Sequence, residues 1–165
     1  MTNIHLSFIT EQLINKPDYS GILDILDLVY CTEFVLYTKT LGTHWNIRGP
    51  QFTELHTLLG EHYLQLLNII DRVVEQMMML DPLIRTRADL KHISDRSIIV
   101  NNIMSCQRTE EFLSVLEQDH TSMIDLLTQA SKCAESMNLY GVVELLGGII
   151  TEHDKMRWFL RSHLS

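Results

Sequence analysis

No apolar run in this chain approaches the roughly eighteen residues of a membrane-spanning helix before a charged side chain interrupts it, so no membrane association is expected. The opening MTNIHLSFITEQ has neither the basic start nor the apolar core of a secretory signal, which makes a cytoplasmic location the expectation. Cysteine is scarce. Cys31, Cys106 and Cys133 are an odd number at wide spacing, fit neither a disulfide framework nor a zinc motif, and read as reduced packing residues. Positive charge is also short: 13 Lys and Arg against 21 Asp and Glu give a net charge of −8. Such a chain repels polyanions at long range, so only a local basic patch would recruit nucleic acid. At 165 residues it is too short for two ordinary domains, and a single domain over 1–165 is expected, with 1–20 as an N-terminal extension. Hydrophobic residues make up 45%, high for a small monomer, which points to apolar surface buried between subunits.

What the chain does have is helical periodicity. Pro50 offers a first helical position, and Phe52, Leu55, Leu59, Leu66, Ile69, Ile70, Val73, Met77 and Leu80 then recur at three- and four-residue intervals, which predicts one long helix over 52–80. Asp81-Pro82 closes it, because proline cannot continue a helix and constrains the residue before it. Ile22, Ile25, Leu26, Val29, Val35 and Leu36 predict an earlier helix reaching Trp45, with Ser20 a candidate N-cap and Gly42-Thr43 weakening its last turn. Phe112, Leu116, Met123, Leu126, Leu127, Ala130, Ala134 and Met137 mark a third helix over 107–137. After a tight turn at Asn138 to Gly141, Val142, Leu145, Leu146, Ile149, Met156, Phe159 and Leu160 define a fourth. Residues 83–106 gather Arg85, Arg87, Lys91 and Arg96 among Asp89, Asp95 and His92, and read as a solvated crossover carrying a short helix in preference to a phosphate-binding patch. The pattern describes an all-α four-helix bundle with one long crossover between its second and third helices.

Four possible metal ligands lie between His44 and Glu75. Asp71 and Glu75 stand four apart on the second helix, so their carboxylates share a face and can share a cation. His56 comes fifteen residues before Asp71, about 22 Å along the axis. One straight helix cannot bring them together. An antiparallel second copy of the same helix, crossing near Leu64 to Leu66, would set His56 of one subunit opposite Asp71 and Glu75 of the other and generate two identical sites per dimer. Taken singly, each ligand has a plainer explanation: His44 as a helix-end histidine bonded to a carbonyl, His56 as the edge of an amphipathic helix, and Asp71 with Glu75 as a solvated face near Arg72. The constellation carries the argument. Asp119-His120 and His153-Asp154 are adjacent pairs whose side chains diverge by about 100° around a helix. Polar or interface contacts are expected of Asp119 and His120, and surface or interface contacts of His153 and Asp154.

His44-Trp45-Asn46, Gly49-Pro50, Phe52, Leu55-His56 and Asp71 to Glu75 together resemble the signature of the Dps mini-ferritins. Glu152-His153-Asp154-Lys155 with Trp158 resembles that family's closing helix, so the likeness spans nearly the whole chain. It implies a ferritin-like form of the bundle and a ferroxidase centre at a two-fold subunit interface, with His44 and His56 from one chain and Asp71 and Glu75 from the other. The activity implied is oxidation of Fe(II), typically by hydrogen peroxide, with ferric iron stored in a homo-oligomeric shell, a dodecamer built from two-fold dimers, that protects against oxidative stress. His44 and His56 would be neutral donors, Asp71 a bridging or primary anionic ligand and Glu75 a second one. Two imidazoles and two carboxylates suit an iron open to oxidant, whereas closed zinc sites favour thiolates; zinc is a possible competitor. Trp45 could pack against the centre or intercept oxidising equivalents, and packing is the simpler role.

The chain departs from the family pattern at Gly60, where a carboxylate usually follows four residues after the second histidine. Glu61 comes next, rotated by about 100°, and is a further metal-ligand candidate if backbone or rotamer compensates. Near the start of the fourth helix, where the family lines an iron-entry pore with acidic residues, Leu139, Tyr140 and Gly141 leave only Glu144. Two alternatives follow: a shell whose oxidation centre is impaired at Gly60, and a DNA-compacting nucleoid protein. The second is disfavoured by the acidic charge and by an N-terminal segment in which Lys16 is the only Lys or Arg.

Overall fold

Apolar side chains recurring every three or four residues give each long helix one stripe that water excludes, and here those stripes are buried against one another. The structure, a computed structural model, describes residues 18–164. Its helices are α1 (Ser20–Asn46), α2 (Phe52–Leu80), a short α3 (Leu90–Arg96), α4 (Thr109–Ser136) and α5 (Tyr140–Ser162), with a 3₁₀ turn at Ile103–Ser105. No strand occurs among the described residues. This is the ferritin-like four-helix bundle, with its crossover and short helix where the spacing puts them. Most of the proposed 1–20 extension, Lys16 included, lies outside the described residues.

The chain runs as two antiparallel hairpins. α1 packs on α2 across the short connection 47–51, and α4 packs on α5, with Thr121 bonded to Arg157 and Glu117 paired with Arg161. The crossover spans the gap between the hairpins, and α1 packs on α4 to close the bundle. Burial of side chains such as Leu26, Leu36, Leu59, Leu66, Leu116 and Leu146 supplies the driving force, at about 1.5–3 kcal/mol for each fully buried aliphatic.

Helix ends refine the sequence reading. α1 begins at Ser20, whose N–H donates to Asp18 Oδ1 at 2.9 Å, so Asp18, rather than Ser20, satisfies the start. Pro50 precedes α2 in a turn and is not its first residue. Gly49 there has φ +112°, a left-handed conformation that disfavours other residues. α2 ends at Leu80, with Asp81 extended before Pro82, as proline dictates. Gly42 and Thr43 do not end α1, which continues to Asn46; Gly42 is buried where Ile103 of the 3₁₀ turn packs, its Cδ1 2.3 Å from where a Cβ would stand. The turn before α5 covers Met137–Leu139, with Asn138 at φ 57°. In the crossover, Arg87 pairs with Asp89, Lys91 with Asp95, and Arg96 with Asp24 and Asp27, so these three cations each have a carboxylate partner within the chain.

Candidate functional site

The α1–α2 connection is short enough to bring the last turn of α1 against the first turns of α2, and that closeness pairs His44 with His56. Their rings stack with centroids 3.7 Å apart and 21° between planes. His44 Nδ1 lies 2.7 Å from His56 O, and His56 Nδ1 lies 2.9 Å from His44 O. A carbonyl oxygen only accepts, so each ring carries its proton on Nδ1 and leaves an Nε2 lone pair for a metal. Phe52 stacks on His56, and Tyr63 meets His44 edge-on. Thr109 Oγ1 donates to Arg48 O at 2.7 Å, tying the connection to the start of α4. The donor set fits a divalent iron: two neutral imidazoles held in one tautomer by outer hydrogen bonds.

Asp71 and Glu75 are not part of this pair in the same chain. α2 is unbroken over Phe52–Leu80, so Asp71 stays about 22 Å from His56 along the axis. Both carboxylates are exposed. Asp71 borders an open groove of about 600 Å³ with Leu64, Leu67 and Phe34. Leu64 and Leu67 are 58% and 45% exposed, whereas Leu66 is fully buried. About the midpoint of α2, Leu64 and Leu67 are therefore the leucines open to solvent. Gly60 faces the histidines: a Cβ added there would stand 3.5 Å from His44 Cε1 and 3.7 Å from its Nδ1. Glu61 is exposed. Trp45 is 68% exposed, so it does not pack over the pair within one chain.

A second histidine group lies in the bundle core. Glu33 of α1, His62 of α2, His120 of α4 and His153 of α5 are each at most 3% exposed. His153 Nε2 donates to Glu33 Oε1 at 2.8 Å, and the Nδ1 atoms of His153 and His120 are 2.9 Å apart. Glu33 Oε2, His120 Nε2 and both nitrogens of His62 have no hydrogen-bond partner among the described residues. Each such orphan costs about 1–3 kcal/mol. Burial, then the nearby His153, pushes the His62 imidazole down to about 4, and burial holds His120 well below the usual histidine value. Next to the cluster, fully buried Lys39 binds Asp119 Oδ2 at 2.5 Å and donates to Val100 O at 3.0 Å. Burial raises the Asp119 carboxyl, an effect that Lys39 opposes.

Residues 23–165 match the family model of the ferritin-like domain. The chain belongs to the ferritin-like family. Among curated relatives, the DNA protection during starvation protein 2 of Bacillus anthracis is 26% identical over 144 residues, covering 87% of this chain and 97% of its own. A low temperature-induced protein of Nostoc is 26% identical over 87% of this chain and 80% of its own. The Dps crystal structure from Staphylococcus aureus superposes with a TM-score of 0.83 at 24% identity, over 88% of this chain and 96% of that one. That from Vibrio cholerae, described as a member of a broad superfamily of ferritin-like diiron-carboxylate proteins, gives 0.82 at 23% identity, over 88% and 90%. At those identities the structures speak for the fold, and together with the named relatives they support the Dps branch.

Against this family fold, one expectation needs correction. His153 makes no surface or interface contact: it is fully buried, because it continues the α5 stripe of Leu146, Ile149, Met156 and Leu160. His120 makes the polar contact expected of it, with His153, from a core position on the stripe of Leu113, Leu116, Met123 and Leu127. Asp154 is exposed and pairs with Arg157, and Asp119 takes the polar-contact role with Lys39. Glu33 and His62 were missed, although the signal was present: Val29 and Leu36 flank Glu33, and Leu59 and Leu66 flank His62, at stripe spacing. A polar residue thus stands at a core position of each of the four long helices. Cys31, Cys106 and Cys133 are free thiols, and burial pushes the Cys31 thiol up to about 12. No helix among the described residues is long and apolar enough to cross a membrane.

Proposed function

We propose that the chain is the subunit of a Dps-type mini-ferritin that binds Fe(II) at a centre shared by two copies, oxidises it with hydrogen peroxide and retains the ferric product in a homo-oligomeric shell, a dodecamer of two-fold dimers. The observation that carries this reading is the His44–His56 pair, whose Nδ1 atoms are each spent on a carbonyl while both Nε2 lone pairs stay open. Asp71 and Glu75 of the second copy complete the donor set, and the exposed Leu64 and Leu67 supply an apolar face for the crossing. In the reaction, each of two Fe(II) ions gives one electron to peroxide, which takes up two protons and leaves as two waters. His44 and His56 hold the metal without adding charge, and Asp71 and Glu75 offset the rise from divalent to trivalent iron. Glu61 is a further ligand candidate, and zinc a competitor for the same donors.

Stopped-flow Fe(II) oxidation with peroxide and with oxygen tests the activity, and subunit mixing tests the shared geometry. His56→Ala and Asp71→Ala chains should each lose all but about a hundredth of the activity alone. In a mixed dimer one of the two sites recovers both partners, so activity should return. No recovery in verified mixed dimers defeats the shared centre, and a wild-type chain that does not oxidise iron points to the impaired shell. DNA compaction is the second reading, prompted by relatives named for DNA protection. With a net charge of −8, duplex DNA should bind weakly or not at all near physiological salt and neutral pH. Submicromolar retardation in a mobility-shift assay under those conditions contradicts this.

A further inference from the structure

The iron chemistry proposed for the helix-end histidines makes no use of Glu33, His62, His120 and His153, which meet inside a single chain with one residue from each long helix. We propose that this cluster is an intrachain site for one divalent first-row transition-metal ion, with Glu33, His62 and His120 as ligands and His153 as the positioning residue.

Hydrogen-bond capacity is the first argument. The Glu33 carboxylate only accepts, so His153 donates from Nε2. A neutral His153 must then accept at Nδ1, which makes His120 the donor across the 2.9 Å contact from its own Nδ1. His120 Nε2 is left with a lone pair and no partner among the described residues. This is the outer-shell arrangement that orients a metal-binding imidazole, built from a carboxylate and a second histidine. Glu33 Oε2 and both nitrogens of His62 are likewise unpartnered in a site that is at least nine-tenths buried. Three donors on three helices thus lack anything to bind, and bundle cores are a recurrent place for metals held by facing helices.

Donor chemistry narrows the ion. Two imidazoles and one carboxylate suit zinc, cobalt or ferrous iron; magnesium and calcium prefer oxygen shells. With one carboxylate to balance them, two divalent ions in the core would leave most of their charge uncompensated, so the site takes one. Binding requires the three donors to close in on the ion, since among the described residues Asp27, Cys31 and His92 are the trio whose ligand atoms lie within 4.8 Å of one another. That trio is occupied otherwise: Asp27 is bonded by His92 at 3.1 Å and by Arg96 at 3.2 Å, and the guanidinium holds the place of a cation. In the core, His62 breaks no hydrogen bond when its ring turns to close the site.

The test uses the full-length chain carrying His56→Ala and Asp71→Ala, which removes the helix-end donors and separates this proposal from the iron-oxidation reading. After chelator treatment it is titrated with Co²⁺. One Co²⁺ per chain should bind and show the intense visible d–d bands of a low-coordinate ion. His62→Leu should abolish the bands, and it should fold, because leucine continues the apolar stripe and removes two orphaned nitrogens. His120→Gln should abolish them too. His153→Phe should keep the bands while lowering Co²⁺ affinity about ten- to hundredfold, the range seen when an outer-shell partner is removed. A parent chain without these bands has a polar cluster filled by water at most, and the proposal falls. Bands that survive His62→Leu unchanged overturn it equally.

Discussion

His44 with His56 and His120 with His153 are two histidine pairs in one bundle, resolved in opposite ways. At the end of the α1–α2 hairpin the rings are stacked and half-buried, and each is tied to a backbone carbonyl of the other residue. In the core the rings tilt by 55°, bond to each other, and reach a carboxylate of the same chain. The first pair satisfies its outer nitrogens and, in the proposed centre, takes its carboxylates from a second copy. The second has its carboxylate and lacks partners for its remaining nitrogens. A group at the surface can be left for another molecule to complete at little cost, because water fills in meanwhile; a buried one cannot. Substitutions at the helix end should therefore change chemistry and spare stability, while substitutions around the core should do the reverse.

The sharpest way to expose that difference is Lys39→Met, beside the core cluster. It strands the Asp119 carboxylate without its ammonium partner, and unfolding in urea should show a loss of about 3–5 kcal/mol. Adding Asp119→Leu should recover most of it, since an apolar pair can replace a buried ion pair. If the single variant is as stable as the parent, the core is wetter than the structure indicates.

Acid should act on the core next. In the unfolded chain His62 titrates near 6.5, while in the folded chain it stays neutral down to about 4. As pH falls below 6.5 the unfolded state gains a proton the folded state refuses, so stability declines from pH 6.5 to about 4 and then levels off for this group. The gap corresponds to an upper limit of about 3 kcal/mol, and His120 adds in the same direction. Chelator-treated His62→Leu should show a shallower decline in the same denaturation series. Identical slopes in the two proteins contradict the assignment.

At the helix end, Asp71→Ala should slow Fe(II) oxidation about 100-fold, equivalent to about 2.7 kcal/mol of barrier, while changing unfolding free energy by no more than about 0.5 kcal/mol. An unchanged rate would remove Asp71 from the centre. The smallest expected effect is at Gly60, where a Cβ has ordinary van der Waals room beside His44. Gly60→Asp should raise iron affinity or oxidation rate a few-fold, and should add a few tenths of a kcal/mol of helix stability. Glu61→Gln is its control: if that change abolishes oxidation and Gly60→Asp does nothing, Glu61 already serves as the ligand.

Local rules made the helices legible. Stripe spacing, Pro82 and the polar crossover marked four long helices and a short one within a few residues of where they lie, because helix formation depends on neighbours three and four positions away. The unbroken α2 also preserved the inference that His56 and Asp71 of one chain cannot meet. The errors arose where a side chain's fate depends on a distant element. Gly42 reads as a weak last turn from its neighbours alone, whereas its small size makes room for Ile103, from the far end of the crossover.

The sequence by itself determined the helix count and the connection that carries the crossover, since composition and periodicity are properties of contiguous residues. Only the tertiary structure decided the tautomers of His44 and His56, because the carbonyls that choose them belong to a different helix in each case. It alone also brought Glu33, His62, His120 and His153 together: each is an isolated polar residue on its own helix, and their meeting depends on the rotation and register of four helices packed around one axis.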